Sequence, residues 1–137
     1  MTYVNKYEVY TDGAYSSKRN LGGIGILVFK DNVLYDAKEG KYKDTTNNRM
    51  ELTAVINALS ILREDSHDTF FEVKINSDSQ YVIGCASLGW SRKKNSDLWD
   101  MFDRLNENCK ITFNWIKGHD KNKYNNICDY FAQRNTL

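Results

Sequence analysis

Hydrophobic and polar positions alternate with a short period in the first third of the chain. Apolar runs rich in β-branched and aromatic residues are separated by polar turn residues, which predicts strands over Tyr7–Tyr10, Gly22–Lys30 and Val33–Tyr42. Asp31 and Asn32, between the last two runs, predict a tight hairpin turn. This part of the chain is therefore predicted to form a three-stranded antiparallel meander.

The periodicity then becomes helical. An apolar stripe predicts a helix from about Asn48 to Glu64, and its members are Leu52, Val55, Ile56, Leu59 and Leu62. Two further strands are predicted, over Phe70–Asn76 and Lys110–Ile116. Three further helices are predicted, over Ser77 to about Gly84, Asp97–Glu107 and Tyr124–Arg134. The order β-β-β-α-β-α-α-β-α predicts an α/β fold in a single domain over residues 1–137. Its five-stranded mixed sheet would join the meander to two parallel strands, with helices flanking the sheet.

Composition narrows the class of protein. With 41% hydrophobic and 27% charged residues, the chain is expected to be globular and not disordered. The net charge of +1 means that any surface for nucleic acid must be local. Three scattered cysteines suit neither a disulfide framework nor a zinc site, but they do suit a reducing compartment. No apolar run approaches the roughly 20 residues of a membrane span, so we expect a cytoplasmic protein.

Four carboxylates fall where this layout would bring them together. Asp12 is predicted to end the first strand and Asp78 to follow the fourth, which places both at one sheet edge if these strands are parallel neighbours. Glu51 is expected in the first turn of the long helix, and Asp129 one turn into the last helix. Taken singly, each could be a turn residue, a helix cap or a partner of the helix dipole. Four together would repel one another unless a hard cation such as Mg²⁺ or Mn²⁺ neutralised them.

Six short segments carry a more specific signal because they occur in a fixed order. They are Thr11–Gly13, Thr45–Leu52, Ser77–Tyr81, Asp97–Trp99, Trp115–His119 and Asn125–Asp129. Together they resemble the type 1 RNase H family over about Tyr7 to Ala132, which is nearly the whole chain. The resemblance implies the RNase H-like fold and an endoribonuclease that hydrolyses the RNA strand of RNA–DNA hybrids. The implied products carry a 5′-phosphate and a 3′-hydroxyl.

The resemblance also implies roles for individual residues. Two Mg²⁺ ions, for which Mn²⁺ can substitute, would be held at the scissile phosphate by Asp12, Glu51, Asp78 and Asp129. His119 is similar to the family's mobile histidine, which assists proton transfer or product release; a plain surface histidine is the alternative. Contacts with the hybrid are implied for Gly13, Thr46, Asn47, Asn48, Gln80 and Asn95. Among these, Thr46 and Asn95 would bind a DNA-strand phosphate, whereas Asn47 and Asn48 would contact the minor groove or serve as helix caps. No protein partner is implied, and a monomer is expected.

The chain departs from the family in three places. Lys18 replaces an amide that often touches the hybrid, and Asp44 stands where some members have Arg in the phosphate pocket. The stretch from Gly84 to Asn95 is too short for the basic insertion that grips substrate in many bacterial members, so this would be a compact form. Only Trp90–Lys94 remains there, in which Trp90 could stack on the hybrid and three cations, Arg92, Lys93 and Lys94, could pair with its phosphates. A solvated charge run is an equal alternative, and we expect weak, strongly salt-dependent binding.

Two other classes of protein remain open. An integrase, transposase or junction resolvase would share the fold, but those proteins lack the Thr46–Glu51 segment and the Lys117–His119 loop. A non-catalytic binding module is disfavoured by the retention of all four carboxylates, because an unneeded acidic cluster costs stability through like-charge repulsion.

Overall fold

The predicted order of elements is confirmed in the computed structural model, which describes residues 3–117 and 122–137. The strands are β1 (Asn5–Ser16), β2 (Leu21–Lys30), β3 (Val33–Lys43), β4 (Phe71–Ser77) and β5 (Cys109–Trp115). The helices are α1 (Asn47–Asp65), α2 (Gln80–Ser87), α3 (Ser96–Asn106) and α4 (Lys123–Arg134). Within those described ranges, none of the helices is long and apolar enough to cross a membrane.

The five strands form one mixed sheet in the order β3-β2-β1-β4-β5. The first three pair antiparallel, whereas β4 is parallel to both β1 and β5. The hairpin between β2 and β3 turns at Asp31 and Asn32, whose φ angles of 52° and 64° are those of a type I′ turn. The predicted meander with two parallel strands is therefore the observed arrangement.

Strand β1 is longer than predicted, and this changes the position of Asp12. The parallel ladder with β4 stops at the pair Tyr10–Asn76, but antiparallel pairing with β2 continues to Ser16 and sets Asp12 opposite Gly25. The prediction that Asp12 ends the strand is wrong, because pairing with β2 keeps the Thr-Asp-Gly sequence extended against its turn preference. Asp12 nevertheless lies beyond the carboxyl end of the β1–β4 ladder, at the edge expected for a site.

Helix α1 covers one face of the sheet with the predicted apolar stripe. Its residues Leu52, Val55, Leu59 and Leu62 are fully buried, and Thr46 caps the helix by accepting a hydrogen bond from the Arg49 N–H. The helix main chain approaches β1 so closely that a Cβ on Gly13 would lie 2.4 Å from the Glu51 nitrogen. Glycine at this position is thus what lets α1 bring Glu51 against the strand.

Helix α4 covers the other face, across β1 and β2, and this contact also depends on glycine. A Cβ on Gly23 would lie 2.0 Å from the Ala132 carbonyl oxygen, and one on Gly25 would lie 2.2 Å from the carbonyl oxygen of Cys128. The Cys128 thiol, itself fully buried, donates to the carbonyl of Tyr10 over 3.3 Å. These contacts set the height of α4 above the sheet, and with it the position of the next residue, Asp129.

We predict that Gly25→Ala destabilises the protein by about 1–3 kcal/mol, the usual cost of overpacking a closely packed region. The added methyl group would meet main-chain atoms of α4, which cannot move without displacing the helix. Gly40→Ala is the matched control, because its methyl group would meet only side-chain atoms of Tyr42 and Ile24, 3.2 Å away or more. Urea unfolding of both variants measures the difference; equal stabilities would contradict the packing described for α4.

Candidate active site

Three of the four predicted carboxylates converge at the edge of the sheet. One oxygen each from Asp12, Glu51 and Asp78 lies within 4.8 Å of the other two. Asp12 comes from β1 and Asp78 from the segment between β4 and α2. Glu51 is the fifth residue of α1, so it lies in the second turn and not in the predicted first, because the helix already begins at Asn47.

The segment that carries Asp78 is held by a helix cap. The predicted start of α2 at Ser77 is wrong, since the helix begins at Gln80 and Ser79 is its N-cap. The Ser79 hydroxyl accepts from the Val82 N–H at 3.1 Å, and its own N–H donates to the Ser77 hydroxyl oxygen at 3.1 Å. This local network satisfies the helix end and leaves the Asp78 carboxylate free to face the cluster.

Burial and like charge dominate the electrostatics of the cluster. Asp12 is 4% exposed and Glu51 7% exposed, and their oxygens share a single main-chain donor, the N–H of Gly13. Burial, followed by repulsion from Asp78, raises the pKa of Asp12 to about 8. Burial and repulsion from Asp12 raise the pKa of Glu51 well above its ordinary value. Without a cation, burial and repulsion therefore favour the protonated form of Asp12 at neutral pH.

The donor set of this cluster fits a hard divalent cation. Among the described residues it consists of carboxylate oxygens alone, with no cysteine or histidine, and such oxygens are the ligands that Mg²⁺ and Mn²⁺ prefer. A bound cation would also remove the repulsion that raises both pKa values. The arrangement of Asp12, Glu51 and Asp78 is therefore suited to metal-assisted chemistry.

Two predicted catalytic residues remain, Asp129 and His119. Asp129, the seventh residue of α4, is exposed and lies outside the group of three oxygens, but its charge contributes to the raised pKa of Asp12. It is thus near the cluster without being part of its tight centre. His119 lies outside the described residues.

The predicted groove contacts lie at the starts of α1 and α2. Asn47 and Asn48 are exposed and precede Glu51 by four and three residues, so they share its side of α1. Gln80, the exposed first residue of α2, follows Asp78 by two positions. The capping alternative applies to Thr46 and not to the two asparagines.

The predicted phosphate-pocket residues are joined by an arginine that sequence reasoning missed. Besides its main-chain bond to Thr46, Arg49 donates to Asn95 Oδ1 at 3.2 Å and forms a bidentate ion pair with Asp97 at 3.0 and 2.8 Å. Asn95 has a left-handed φ of 66° and donates to the Tyr81 hydroxyl. The only signal for Arg49 in the sequence was its position between Thr46 and Glu51.

The departure at Asp44 has a structural role. Asp44 has a φ of 53° and accepts a hydrogen bond from the Asn20 amide at 2.6 Å, which ties the β3–α1 connection to the turn after β1. Asp44 also lines a cavity of about 330 Å³, together with Lys43 and Arg49. The cavity beside Thr46 thus carries one negative and two positive side chains.

Near Asp78, a second cleft of about 320 Å³ contains the predicted residue Trp90. It is lined by Gln80, Ile83, Leu88, Trp90 and Trp115. The two tryptophans are 50% and 46% exposed, and the Trp115 indole donates to the Asp78 carbonyl at 3.3 Å. Sequence reasoning placed Trp115 in a motif but gave it no role. Its position at the end of β5, beside the carboxyl end of β4, was the available signal.

Only two of the three cations after Trp90 face solvent freely. The Arg92 guanidinium pairs with Asp103 at 2.8 and 2.9 Å and stacks over Trp99, 4.3 Å from the ring centre. The expectation of three cations available for phosphates is therefore wrong for Arg92. Lys93 and Lys94 are exposed and make no ion pair with any described residue.

Comparison with known proteins agrees with this geometry. The family model for RNase H matches residues 4–136. The chain belongs to the RNase H family. It is 37% identical to ribonuclease HI of Synechocystis, over 93% of this chain and 86% of that protein. It is 39% identical to ribonuclease H of Acetivibrio thermocellus, over 94% of this chain and 93% of the relative. The predicted type 1 ribonuclease H, and with it an enzyme of the nuclease class, is confirmed.

Solved structures of RNase H proteins share the fold. The N-terminal RNase H domain of a Mycobacterium tuberculosis protein superimposes with a TM-score of 0.83 at 19% identity, covering 96% of this chain and 94% of that one. LC11 RNase H1, whose structure is a complex with an RNA/DNA hybrid, gives 0.78 at 17% identity, covering 93% and 97%. The RNase H-like fold predicted for the chain is therefore confirmed.

We predict that Asp12→Asn stabilises the metal-free protein, and more so as the pH rises. The folded-state pKa of Asp12, about 8, exceeds its ordinary value of 3.8. The folded protein therefore binds more protons than the unfolded chain between these values, and the wild type loses stability as the pH rises through them. By about pH 8 the variant should be more stable by at least about 1.4 kcal/mol, the equivalent of one pKa unit.

Chemical unfolding in EDTA at about pH 5 and about pH 8 measures this difference. Asp103→Asn serves as the control, because Asp103 is an acidic residue of α3 outside the cluster, where it pairs with Arg92. A stability gain for Asp12→Asn that does not grow with pH would contradict the electrostatic account of the cluster.

Proposed function

We propose that the chain is an endoribonuclease that hydrolyses the RNA strand of RNA–DNA hybrids and leaves 5′-phosphate and 3′-hydroxyl ends. The observation that carries this proposal is the convergence of Asp12, Glu51 and Asp78, the first two of them buried, in a chain of the RNase H family. Carboxylates buried at a cost in stability are expected where they hold a functional cation.

Two divalent cations, Mg²⁺ or in its place Mn²⁺, would be held by Asp12, Glu51, Asp78 and Asp129. Bound there, they would supply charge stabilisation to the attacking and leaving oxygens of an in-line displacement at phosphorus. Asp129 fits the outer member of such a set, because it is exposed while its charge still acts on Asp12.

The protein's own contribution is to hold these oxygens before substrate arrives. The Gly13 N–H donates to both Asp12 and Glu51, so two ligands are oriented by one rigid main-chain group. The Ser79 cap fixes the segment of Asp78. We assign His119 the role of moving a proton or helping the product leave, as its place in the motif implies.

Recognition of the RNA strand is assigned to exposed amides beside the cluster. An amide both donates and accepts hydrogen bonds, which suits the 2′-hydroxyl that distinguishes RNA from DNA. Asn47, Asn48 and Gln80 present such groups on the side of Glu51 and Asp78, with Gly13 contributing its main chain. The hybrid bound by LC11 RNase H1 supports the same class of substrate for this chain.

Contacts with the DNA strand are assigned to two flanking surfaces. One is the group of Thr46 and Asn95, joined by Arg49, which would bind a phosphate. The other is the cleft of Trp90 with the exposed Lys93 and Lys94, where a sugar or base would stack and phosphates would pair. These contacts would compensate in part for the missing basic insertion. We further propose that the protein acts as a monomer in the cytoplasm, which suits its three unpaired cysteines.

Cleavage of an end-labelled RNA–DNA hybrid in Mg²⁺ is the primary test. We predict cutting of the RNA strand only, with RNA–RNA, DNA–DNA and single-stranded controls left intact. Asp78→Asn should lower the rate by more than about 100-fold, because removal of a direct metal ligand exceeds the loss typical of an outer-shell partner.

Asp100→Asn is the matched control for this experiment, since Asp100 is an exposed acidic residue of α3 outside the cluster. Its rate should equal that of the wild type. Hybrid left uncut by folded wild-type protein in both Mg²⁺ and Mn²⁺ would instead favour a binding module, and wild-type cleavage by Asp78→Asn would refute the assignment of the site.

Replacing Lys93 and Lys94 together by Ala should weaken hybrid binding and flatten its salt dependence. Removing one cation from a phosphate reduces the slope of log K against log salt by about 0.9. Fluorescence anisotropy with labelled hybrid in Ca²⁺ over a salt series gives this slope. Lys110→Ala is the control, because Lys110 lies near the amino end of β5, away from the edge that carries the cluster; an unchanged slope in the double variant would favour the solvated charge run.

A further inference from the structure

Asn125 is a buried polar residue to which the proposed mechanism gives no role. It is 4% exposed, and its side-chain oxygen has no hydrogen-bond partner among the described residues. Among the described residues, the other buried side-chain oxygens without a partner are the hydroxyls of Thr11 and Thr45. Asn125 differs from these because an amide oxygen can only accept, so its need for a donor cannot be met by rotating a hydroxyl.

Helix capping does not explain Asn125. The N-cap of α4 is Asn122, whose side-chain oxygen accepts from the N–H groups of Tyr124 and Asn125, both at 3.0 Å. The end of the helix is thus satisfied by another residue. A buried carbonyl oxygen without a donor costs free energy, so its presence calls for a ligand or a functional reason.

The position of Asn125 on α4 directs it towards the carboxylate cluster. Asn125 precedes Asp129 by four residues, so the two side chains lie on the same side of the helix, one turn apart. Tyr124, about 100° away around the helix, packs against Phe29 of β2 with ring centres 4.7 Å apart. Because β2 and β4 lie on opposite sides of β1, the flank of Asn125 and Asp129 is the one nearer β4 and Asp78.

The strand beneath α4 supports the same placement. Side chains alternate between the two faces of a strand, so Asp12 shares a face with Tyr10. That face is the one covered by α4, because Tyr10 packs on Tyr124 and its carbonyl accepts from the Cys128 thiol. Asp12, Asp129 and Asn125 therefore lie on one side of the sheet, and the buried amide of Asn125 is one helical turn from Asp129.

We propose that Asn125 is a positioning residue for the cation site, whose amide oxygen accepts a hydrogen bond from a water molecule bound to a cation between Asp12 and Asp129. This inference rests on the proposed function and extends it to a residue outside the four carboxylates. A cation makes its waters strong donors, which is what an unpartnered acceptor requires. A neutral amide accepts that bond without adding a fifth negative charge to a cluster that already repels itself.

The experiment compares Asn125→Leu, which removes both polar atoms at similar shape, with Asn126→Leu at the neighbouring exposed position of α4. Mn²⁺ binding to the full metal-free chain is measured without substrate by the electron paramagnetic resonance signal of free Mn²⁺, and thermal unfolding is followed with and without Mn²⁺. We expect Asn125→Leu to bind Mn²⁺ roughly 10- to 100-fold more weakly, the range for outer-shell partners. Its thermal shift with Mn²⁺ should shrink accordingly, while Asn126→Leu matches the wild type.

Asn125→Ser, which keeps an acceptor oxygen, should restore part of the affinity and decides the matter if the leucine variant does not fold. Wild-type Mn²⁺ affinity in Asn125→Leu, with a raised melting temperature, would show a packing role only and overturn the inference while leaving hybrid cleavage by the wild type untouched. Failure of the wild type itself to bind Mn²⁺ and to cut hybrid would overturn the proposed function, and the inference with it.

Discussion

The close approach of α1 to Gly13 is the contact on which the site depends. Because Gly13 has no side chain, the α1 main chain can approach so closely that a Cβ on Gly13 would lie 2.4 Å from the Glu51 nitrogen. This close approach lets the Gly13 N–H donate to both Glu51 and Asp12. One neutral donor cannot offset two buried carboxylates. The geometry that orients these ligands therefore also creates the repulsion that a cation would relieve.

The second face of the sheet uses the same device for a different carboxylate. Gly23 and Gly25 let α4 rest directly on β2, so the main chain of Cys128 is fixed and Asp129 follows it to the rim of the cluster. Helices α1 and α4 thus pack against opposite faces of the sheet at positions where only glycine leaves enough space. Carboxylates from both faces then reach one edge because the β1–β4 ladder ends there, at Tyr10 and Asn76.

The order of elements could be predicted from the sequence because apolar periodicity is a local property of each segment. The true length of β1 could not, since Thr11–Gly13 has turn propensity and only pairing with a distant strand keeps it extended. Arg92 was similarly misjudged, because its partner Asp103 lies on the next helix. The residues of the cluster were predictable from an ordered set of motifs. The orphaned oxygen of Asn125 was not, because burial depends on how α4 packs.

Protons and a bound cation would compete for the same oxygens in this site. Because the pKa of Asp12 is raised, a cation that binds near neutral pH would have to displace a proton, and its apparent affinity would increase with pH until Asp12 is ionised. The same competition couples stability to metal concentration, since a cation that binds only the folded state adds its binding free energy to folding. A cation held by the cluster would therefore stabilise the same fold that the cluster destabilises in the absence of metal.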